Sequence, residues 1–116
     1  MFHNVVYRGR AEMSIHAFKM QLKPGAVDEY RRRHDELWPE LSDLLRQSGI
    51  SDYSIFLDED TLSLFAVLTL AAENQRDTLP DHPVMQKWWA YMAPLMEVEP
   101  GNKPREWPLA PLFHLA

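Results

Sequence analysis

The stretch SDYSIFLDEDTLSLFAVLTL, residues 51–70, decides the fold. It predicts two strands, Ser51 to Leu57 and Leu62 to Leu70, joined by the acidic turn Asp58-Glu59-Asp60. Because this separation has hairpin length, antiparallel pairing is the economical interpretation. The second strand is apolar on both faces, which predicts a place in the middle of the sheet or against a partner.

The segments on either side extend this hairpin to the order strand, helix, strand, strand, helix, strand. The predicted elements outside the hairpin are a strand over 14–22, a helix from about 26 to Gly49, a short helix within 71–81, a helix opened by His82-Pro83, a loop over 97–108 and a last strand over 109–115. Pro39 lacks an amide proton and crowds the carbonyl four residues back, so we expect a kink or two abutting helices there.

This order is the split β-α-β arrangement of ferredoxin-like domains, an α+β fold written βαββαβ. A chain of 116 residues predicts one domain. One sheet face would carry both helices. The other face would be left as a cleft or an interface.

Composition excludes several classes of function. The formal charge of −5 argues against a nucleic-acid partner, and no run of 18 apolar residues predicts a membrane span. The absence of cysteine excludes disulfide scaffolds, thiol catalysis and thiolate metal sites, and is consistent with a cytoplasmic location. Four scattered glycines form no phosphate-binding loop, and five histidines show no metal-ligand spacing. We therefore expect no cofactor and no metal.

His34 is the first candidate for chemistry. It follows Tyr30 by four positions, so both side chains share the apolar face of the predicted helix. One interpretation is a core histidine satisfied by a backbone carbonyl. The other is an acid/base, because the reference pKa of imidazole, about 6.5, allows proton transfer near neutrality.

Three aromatic residues are further candidates. Trp88 and Trp89 point about 100° apart on a helix, so one can pack in the core while the other lines a cavity. Simple core packing is the alternative, although aromatic faces are also good platforms for the C–H-rich faces of sugars. Tyr53 could give its hydroxyl to a ligand or cover the core with its ring.

Four motifs carry a resemblance to a known family. They are EYRRRH at 29–34, LWPEL at 37–41, YSIFLD at 53–58 and KWWAYM at 87–92. In this order and at this spacing, from about Met13 to the C-terminus, they resemble the L-rhamnose mutarotase family. The combination is specific, whereas no single motif would be.

The resemblance implies a function and a set of site residues. The family consists of isomerases that interconvert the α and β anomers of L-rhamnopyranose without a cofactor. Its members are homodimers whose sheets pack face to face as a dimeric α/β barrel. His34 matches the catalytic proton donor, and Tyr30, Tyr53, Trp88 and Trp89 match substrate-binding positions.

The chain departs from the family in two places. Residues 1–12 precede the usual start at Met13, so we expect an N-terminal extension followed by a single domain over 13–116. The loop 99–104 resembles the family only loosely. Whether this loop helps to close the pocket is therefore left undecided by the sequence. A cofactor-free monooxygenase or a metabolite-binding module on the same barrel fold remain the alternative functions.

Overall fold

The computed structural model describes residues 5–6 and 13–116, which form an α+β fold built on an antiparallel sheet. Its strands are β1 (Val5–Val6), β2 (Ser14–Gln21), β3 (Ile50–Leu57), β4 (Ser63–Leu70) and β5 (Trp107–Pro108). Its helices are α1 (Val27–Asp35), α2 (Pro39–Gln47) and α3 (Pro83–Met92), with 3₁₀ helices at Arg76–Asp81 and Ala93–Leu95. Of the predicted extension over 1–12, only Val5 and Val6 are described, and the rest lies outside the described residues.

The predicted hairpin is confirmed. β3 and β4 pair antiparallel, with Phe56 opposite Phe65, and β4 lies between β3 and β2. The pairing shifts register between Ser51 and Ser54, where Asp52 has a positive φ of 48°. Such a bulge bends the strand and changes the direction of the side chains that follow it.

β2 has different neighbours on its two sides. One side pairs with β4 along its whole length, and the other pairs with β1 at its start and with β5 at Phe18 and Lys19. β5 is therefore a short edge strand that joins the end of the described chain to one of its first strands.

The helix predicted from residue 26 to Gly49 is two helices, one of the two outcomes expected at Pro39. Pro39 occupies the first turn of α2, where its missing amide proton costs no hydrogen bond. Trp38 before it is extended, with φ −62° and ψ 130°. The short helix predicted within 71–81 is the 3₁₀ helix Arg76–Asp81, and α3 begins at Pro83 as predicted.

The predicted last strand over 109–115 is wrong. No residue from 109 to 116 is in a strand, and β5 lies instead inside the segment predicted as a loop. Pro108 and Pro111 have no amide proton to donate, so the pairing ends with the bond from the Leu109 amide to the Ala17 carbonyl. Beyond it Leu112 and Phe113 are 98% and 83% exposed, so burial does not hold this segment against the sheet.

The core lies between the helices and one face of the sheet. Alternate residues of β2 and β4 on this face are buried, among them Phe18, Met20, Leu64 and Leu68. Helix residues such as Leu41, Met85, Trp88 and Met92 belong to the same cluster. Among the described residues the opposite face carries no comparable cover, and Phe56 on it is 60% exposed.

Candidate functional site

A cavity of about 530 Å³ opens between the helices and the core face of the sheet. Its walls are largely apolar and include all of the residues predicted to form the site: Tyr30, His34, Tyr53, Trp88 and Trp89. Further polar or loop residues line it, among them Arg76, Lys103, Pro104 and Glu106. An apolar cavity with a few convergent polar groups is the usual form of a small-molecule site.

Helix α1 holds Tyr30 and His34 against each other. Their ring centroids are 4.3 Å apart, and Tyr30 is buried. Burial, reinforced by the Tyr53 hydroxyl nearby, raises the pKa of the Tyr30 hydroxyl above its ordinary value. Tyr30 is therefore a neutral phenol at physiological pH, able to donate a proton in a hydrogen bond.

The backbone fixes which nitrogen of His34 is available. Nδ1 lies 3.0 Å from the Tyr30 carbonyl oxygen, and because a carbonyl only accepts, Nδ1 carries the proton of this bond. Nε2 has no hydrogen-bond partner in the described part of the chain. The two interpretations of His34 are therefore compatible, since one nitrogen is satisfied by the backbone while the ring lines the cavity.

Burial sets the charge of His34. It lowers the pKa of the imidazole below 6.5, against smaller opposing effects of the bond to the Tyr30 carbonyl and of the nearby Asp35 carboxylate. The ring is therefore mainly neutral at pH 7, and its protonated form is a stronger acid than an exposed imidazolium.

Trp88 connects the cavity to the core. It is only 6% exposed, and its ring meets those of His34, Trp38 and Tyr91 at centroid distances of 5.3, 5.1 and 5.8 Å. Trp89 is partly buried and packs against the core as it lines the cavity. The expected division between one core and one cavity tryptophan is thus incomplete, because Trp88 belongs to both.

Tyr53 lies within the bulge of β3, between Ser51 and Ser54. Although 39% of the residue's surface is exposed, burial of its hydroxyl raises the pKa of that group. The Glu106 carboxylate raises it further, and Arg76 acts in the opposite direction. The hydroxyl end of Tyr53 thus points toward a charged part of the cavity wall, and it stays protonated at neutral pH.

Arg76 and Glu106 were not predicted from the sequence. Arg76 lies in a weakly patterned stretch, and Glu106 lies in a segment that was predicted to be a loop. Neither position carries a periodic or motif signal, and Glu106 directly precedes β5, whose pairing with β2 holds it near the cavity. Lys103 and Pro104 show that the loop 99–104, whose part was left open, also contributes to the wall.

Residues 5–6 and 13–116 lack the features of two other kinds of site, a metal centre and a membrane span. This part of the chain groups no three His, Asp or Glu side chains in a way that could hold a metal ion. It also contains no helix long and apolar enough to cross a membrane.

Comparison with known proteins gives a consistent result. The L-rhamnose mutarotase family model matches residues 15–115. The L-rhamnose mutarotase of Jannaschia sp. (strain CCS1) is 61% identical over 103 residues, covering 89% of this chain and 99% of that protein. That of Rhizobium leguminosarum bv. trifolii is 60% identical over 100 residues, covering 86% and 94%. The crystal structure of L-rhamnose mutarotase from Formosa agariphila matches with a TM-score of 0.82 at 42% identity, covering 89% of this chain and 99% of that chain.

Proposed function

The chain belongs to the L-rhamnose mutarotase family, and on this premise we propose that it interconverts the α and β anomers of L-rhamnose in the cavity described above. The family predicted from the sequence motifs is thereby confirmed. The observation that carries the proposal is His34, whose Nδ1 is held by the Tyr30 carbonyl while Nε2 has no partner in the described part of the chain.

Anomer exchange passes through the open aldehyde. Ring opening needs a proton delivered to the ring oxygen and a proton removed from the anomeric hydroxyl. Rotation about C1–C2 presents the other face of the aldehyde, and closing reverses both transfers. The reaction needs no net change in the enzyme, because each group recovers its proton at the end of the cycle.

His34 is proposed to protonate the ring oxygen through Nε2 while a water molecule takes the proton of the anomeric hydroxyl, and both protons are returned when the ring closes. The bond from Nδ1 to the Tyr30 carbonyl persists in both charge states, because Nδ1 keeps its proton in each. It therefore holds the ring in one orientation. The lowered pKa makes the imidazolium a better donor, although less of it is present at pH 7.

The remaining predicted residues are proposed to position the sugar. The hydroxyls of Tyr30 and Tyr53 stay protonated, because burial raises the pKa of both, and each can donate to one sugar oxygen and accept from another. Trp88 and Trp89 are proposed to cover the C–H-rich face of the ring. Acid/base assistance with positioning of this kind is worth about 10²- to 10⁴-fold in rate.

We also propose the finer architecture predicted from the sequence. Residues 13–116 would form one ferredoxin-like domain, supported by the neighbour relations β5-β2-β4-β3. Two copies would pair as a homodimer, an α/β barrel with sheets face to face, supported by the exposed Phe56 opposite Phe65 on the uncovered face. The cytoplasmic location remains a prediction.

Saturation-transfer NMR of L-rhamnose anomers tests the function and the role of His34 together. The wild type should accelerate exchange, and His34→Ala should lose most of that acceleration. His16→Ala is a matched control, because His16 is also a half-buried histidine with a lowered pKa but is absent from the cavity wall. It should exchange anomers at the wild-type rate.

The other outcomes separate the remaining interpretations. Full exchange by His34→Ala would move the proton transfer to another residue. No acceleration by the wild type with any aldose would overturn the proposed function. Oxygen uptake with an aromatic substrate would then support a monooxygenase, and sugar binding without exchange would support a binding module.

A further inference from the structure

We propose that Arg76 and Glu106 form a hydroxyl-binding pair on the cavity wall beside Tyr53, which holds two neighbouring hydroxyls of the sugar and so determines which aldose is accepted. This inference rests on the proposed function, since it concerns the same cavity. It adds a specificity site that neither the motifs nor the resemblance assigns.

The two side chains reach the wall from distant parts of the chain. Arg76 begins the 3₁₀ helix Arg76–Asp81, and Glu106 directly precedes β5. Their side chains are 24% and 25% exposed, and Arg76 Nη2 lies 3.5 Å from Glu106 Oε1. An ion pair that is three-quarters buried thus faces a cavity whose lining is otherwise largely apolar.

This pair leaves most of its hydrogen-bonding capacity unused. A guanidinium has five N–H donors and a carboxylate has about four acceptor positions, yet these two side chains share one long bond and make no other in the described residues. No buried side-chain nitrogen or oxygen among the described residues lacks a partner, so the remaining donors and acceptors are open to the cavity or to solvent. An ion pair that is three-quarters buried and makes one long bond contributes little to stability.

The pair is also held in place without a ligand. The Arg76 guanidinium lies 5.4 Å from the centroid of the Phe18 ring, and its backbone amide donates to the Asn74 side chain. Glu106 is positioned by the pairing of Pro108 with the same Phe18. Polar groups fixed in this way lose little conformational freedom when a ligand binds.

The chemistry of the pair fits two adjacent hydroxyls. A carboxylate accepts from one hydroxyl while a guanidinium donates to the oxygen of its neighbour. Both charges act on the pKa of the Tyr53 hydroxyl, which places a third polar group at the same part of the wall. A site built to bind a hydroxyl discriminates strongly against the analogue that lacks it, because its polar groups are then left unpaired.

Glu106→Gln and Arg76→Lys test the pair by two independent readouts. These are the KM and kcat of anomer exchange, and direct binding of L-rhamnose followed by tryptophan fluorescence. Each variant should raise KM and the dissociation constant by about 10- to 100-fold, the value of a hydrogen bond to a charged group, with kcat within about 3-fold of wild type. Asp43→Asn removes the exposed 3.8 Å pair with Arg46 and should change neither.

Monodeoxy sugars identify the hydroxyl. One of the 2-, 3- and 4-deoxy analogues lacks the hydroxyl held by Glu106, and it should bind the wild type more weakly than L-rhamnose does. Its affinity should fall little further in Glu106→Gln, because the bond that this variant removes is already missing. Two results would overturn the inference. In the first, each of the three deoxy analogues loses as much affinity in Glu106→Gln as it loses in the wild type. In the second, the variants bind L-rhamnose as tightly as the wild type. If Glu106→Gln does not fold by circular dichroism, Arg76→Lys decides, because it keeps the charge and loses the planar fork.

Failure of this inference is distinguishable from failure of the proposed function. Wild-type protein that binds L-rhamnose without exchanging its anomers, while Glu106→Gln binds it more weakly, would overturn the function and support the pair. Anomer exchange by the wild type, with unchanged L-rhamnose binding in both variants, would support the function and overturn the pair. Absence of sugar binding by the wild type would overturn both.

Discussion

Replacing Trp88 with alanine should destabilise the fold by about 4 kcal/mol. A tryptophan side chain buries roughly 200 Å², and Trp88 is only 6% exposed, so nearly all of that area is withdrawn from water. At about 25 cal/mol per Å² this gives an upper value near 5 kcal/mol, within the usual range of about 3–5 for Trp→Ala in a core. The change also removes ring contacts with His34, Trp38 and Tyr91. The same replacement at Trp89, which is only partly buried, should cost less than half as much free energy of unfolding.

Urea unfolding followed by far-ultraviolet circular dichroism measures this difference without depending on the tryptophan signal. Both variants and the wild type are compared at one protein concentration, because any self-association would shift the transition. A loss of about 4 kcal/mol should lower the melting temperature of Trp88→Ala by roughly 15 °C. If Trp89→Ala proved as unstable as Trp88→Ala, the assignment of Trp88 as the link between core and cavity would be wrong.

Three further expectations follow from the same geometry. The kcat/KM of anomer exchange, measured by NMR, should rise as the pH falls from 8 toward 6. Burial lowers the pKa of His34 below 6.5, and only the imidazolium can donate a proton. A fall of kcat/KM over this interval would make His34 a base instead. Gly49→Ala should cost more than about 2 kcal/mol in urea unfolding, because φ is +87° and a Cβ would lie 2.9 Å from the Cβ of Asn74. Gly25→Ala, with φ +80° and open space around the new Cβ, should cost only about 1–2 kcal/mol. Equal losses in the two variants would refute the clash. Phe113→Ser, at an 83% exposed position, should leave the unfolding transition of the monomer within about 0.5 kcal/mol, and a larger loss that grows with protein concentration would place this segment in an interface.

Much of the fold was predictable because its signals are local. The hairpin of β3 and β4 follows from alternation and a short acidic turn, and the break at Pro39 follows from a missing amide proton. The juxtaposition of Tyr30 and His34 follows from helical spacing alone. The bond between His34 Nδ1 and the Tyr30 carbonyl also joins residues four apart.

The features that were missed depend on contacts between distant segments. The short strand β5 has no alternation to detect, since it contains two residues, one of them proline. The segment 109–115 looks more like a strand, yet Pro111 has no amide proton and Leu112 and Phe113 are exposed among the described residues, so no strand continues beyond Leu109. Glu106 directly precedes β5, so the same missing signal concealed the pair with Arg76.

The shortness of β5 has a consequence for local opening. The cavity wall that includes Glu106 is fastened to β2 by two paired residues and by the bond from the Leu109 amide to the Ala17 carbonyl, and to Glu97 by the Arg105 amide, whereas β4 is bonded to β2 along eight residue pairs. This wall can therefore detach while the rest of the sheet stays folded, at a cost well below that of global unfolding. Hydrogen exchange at the Leu109 amide reports that opening directly. A sugar that bridges the wall to the helices would slow it, which would make this amide a sensor of occupancy that needs neither turnover nor a label.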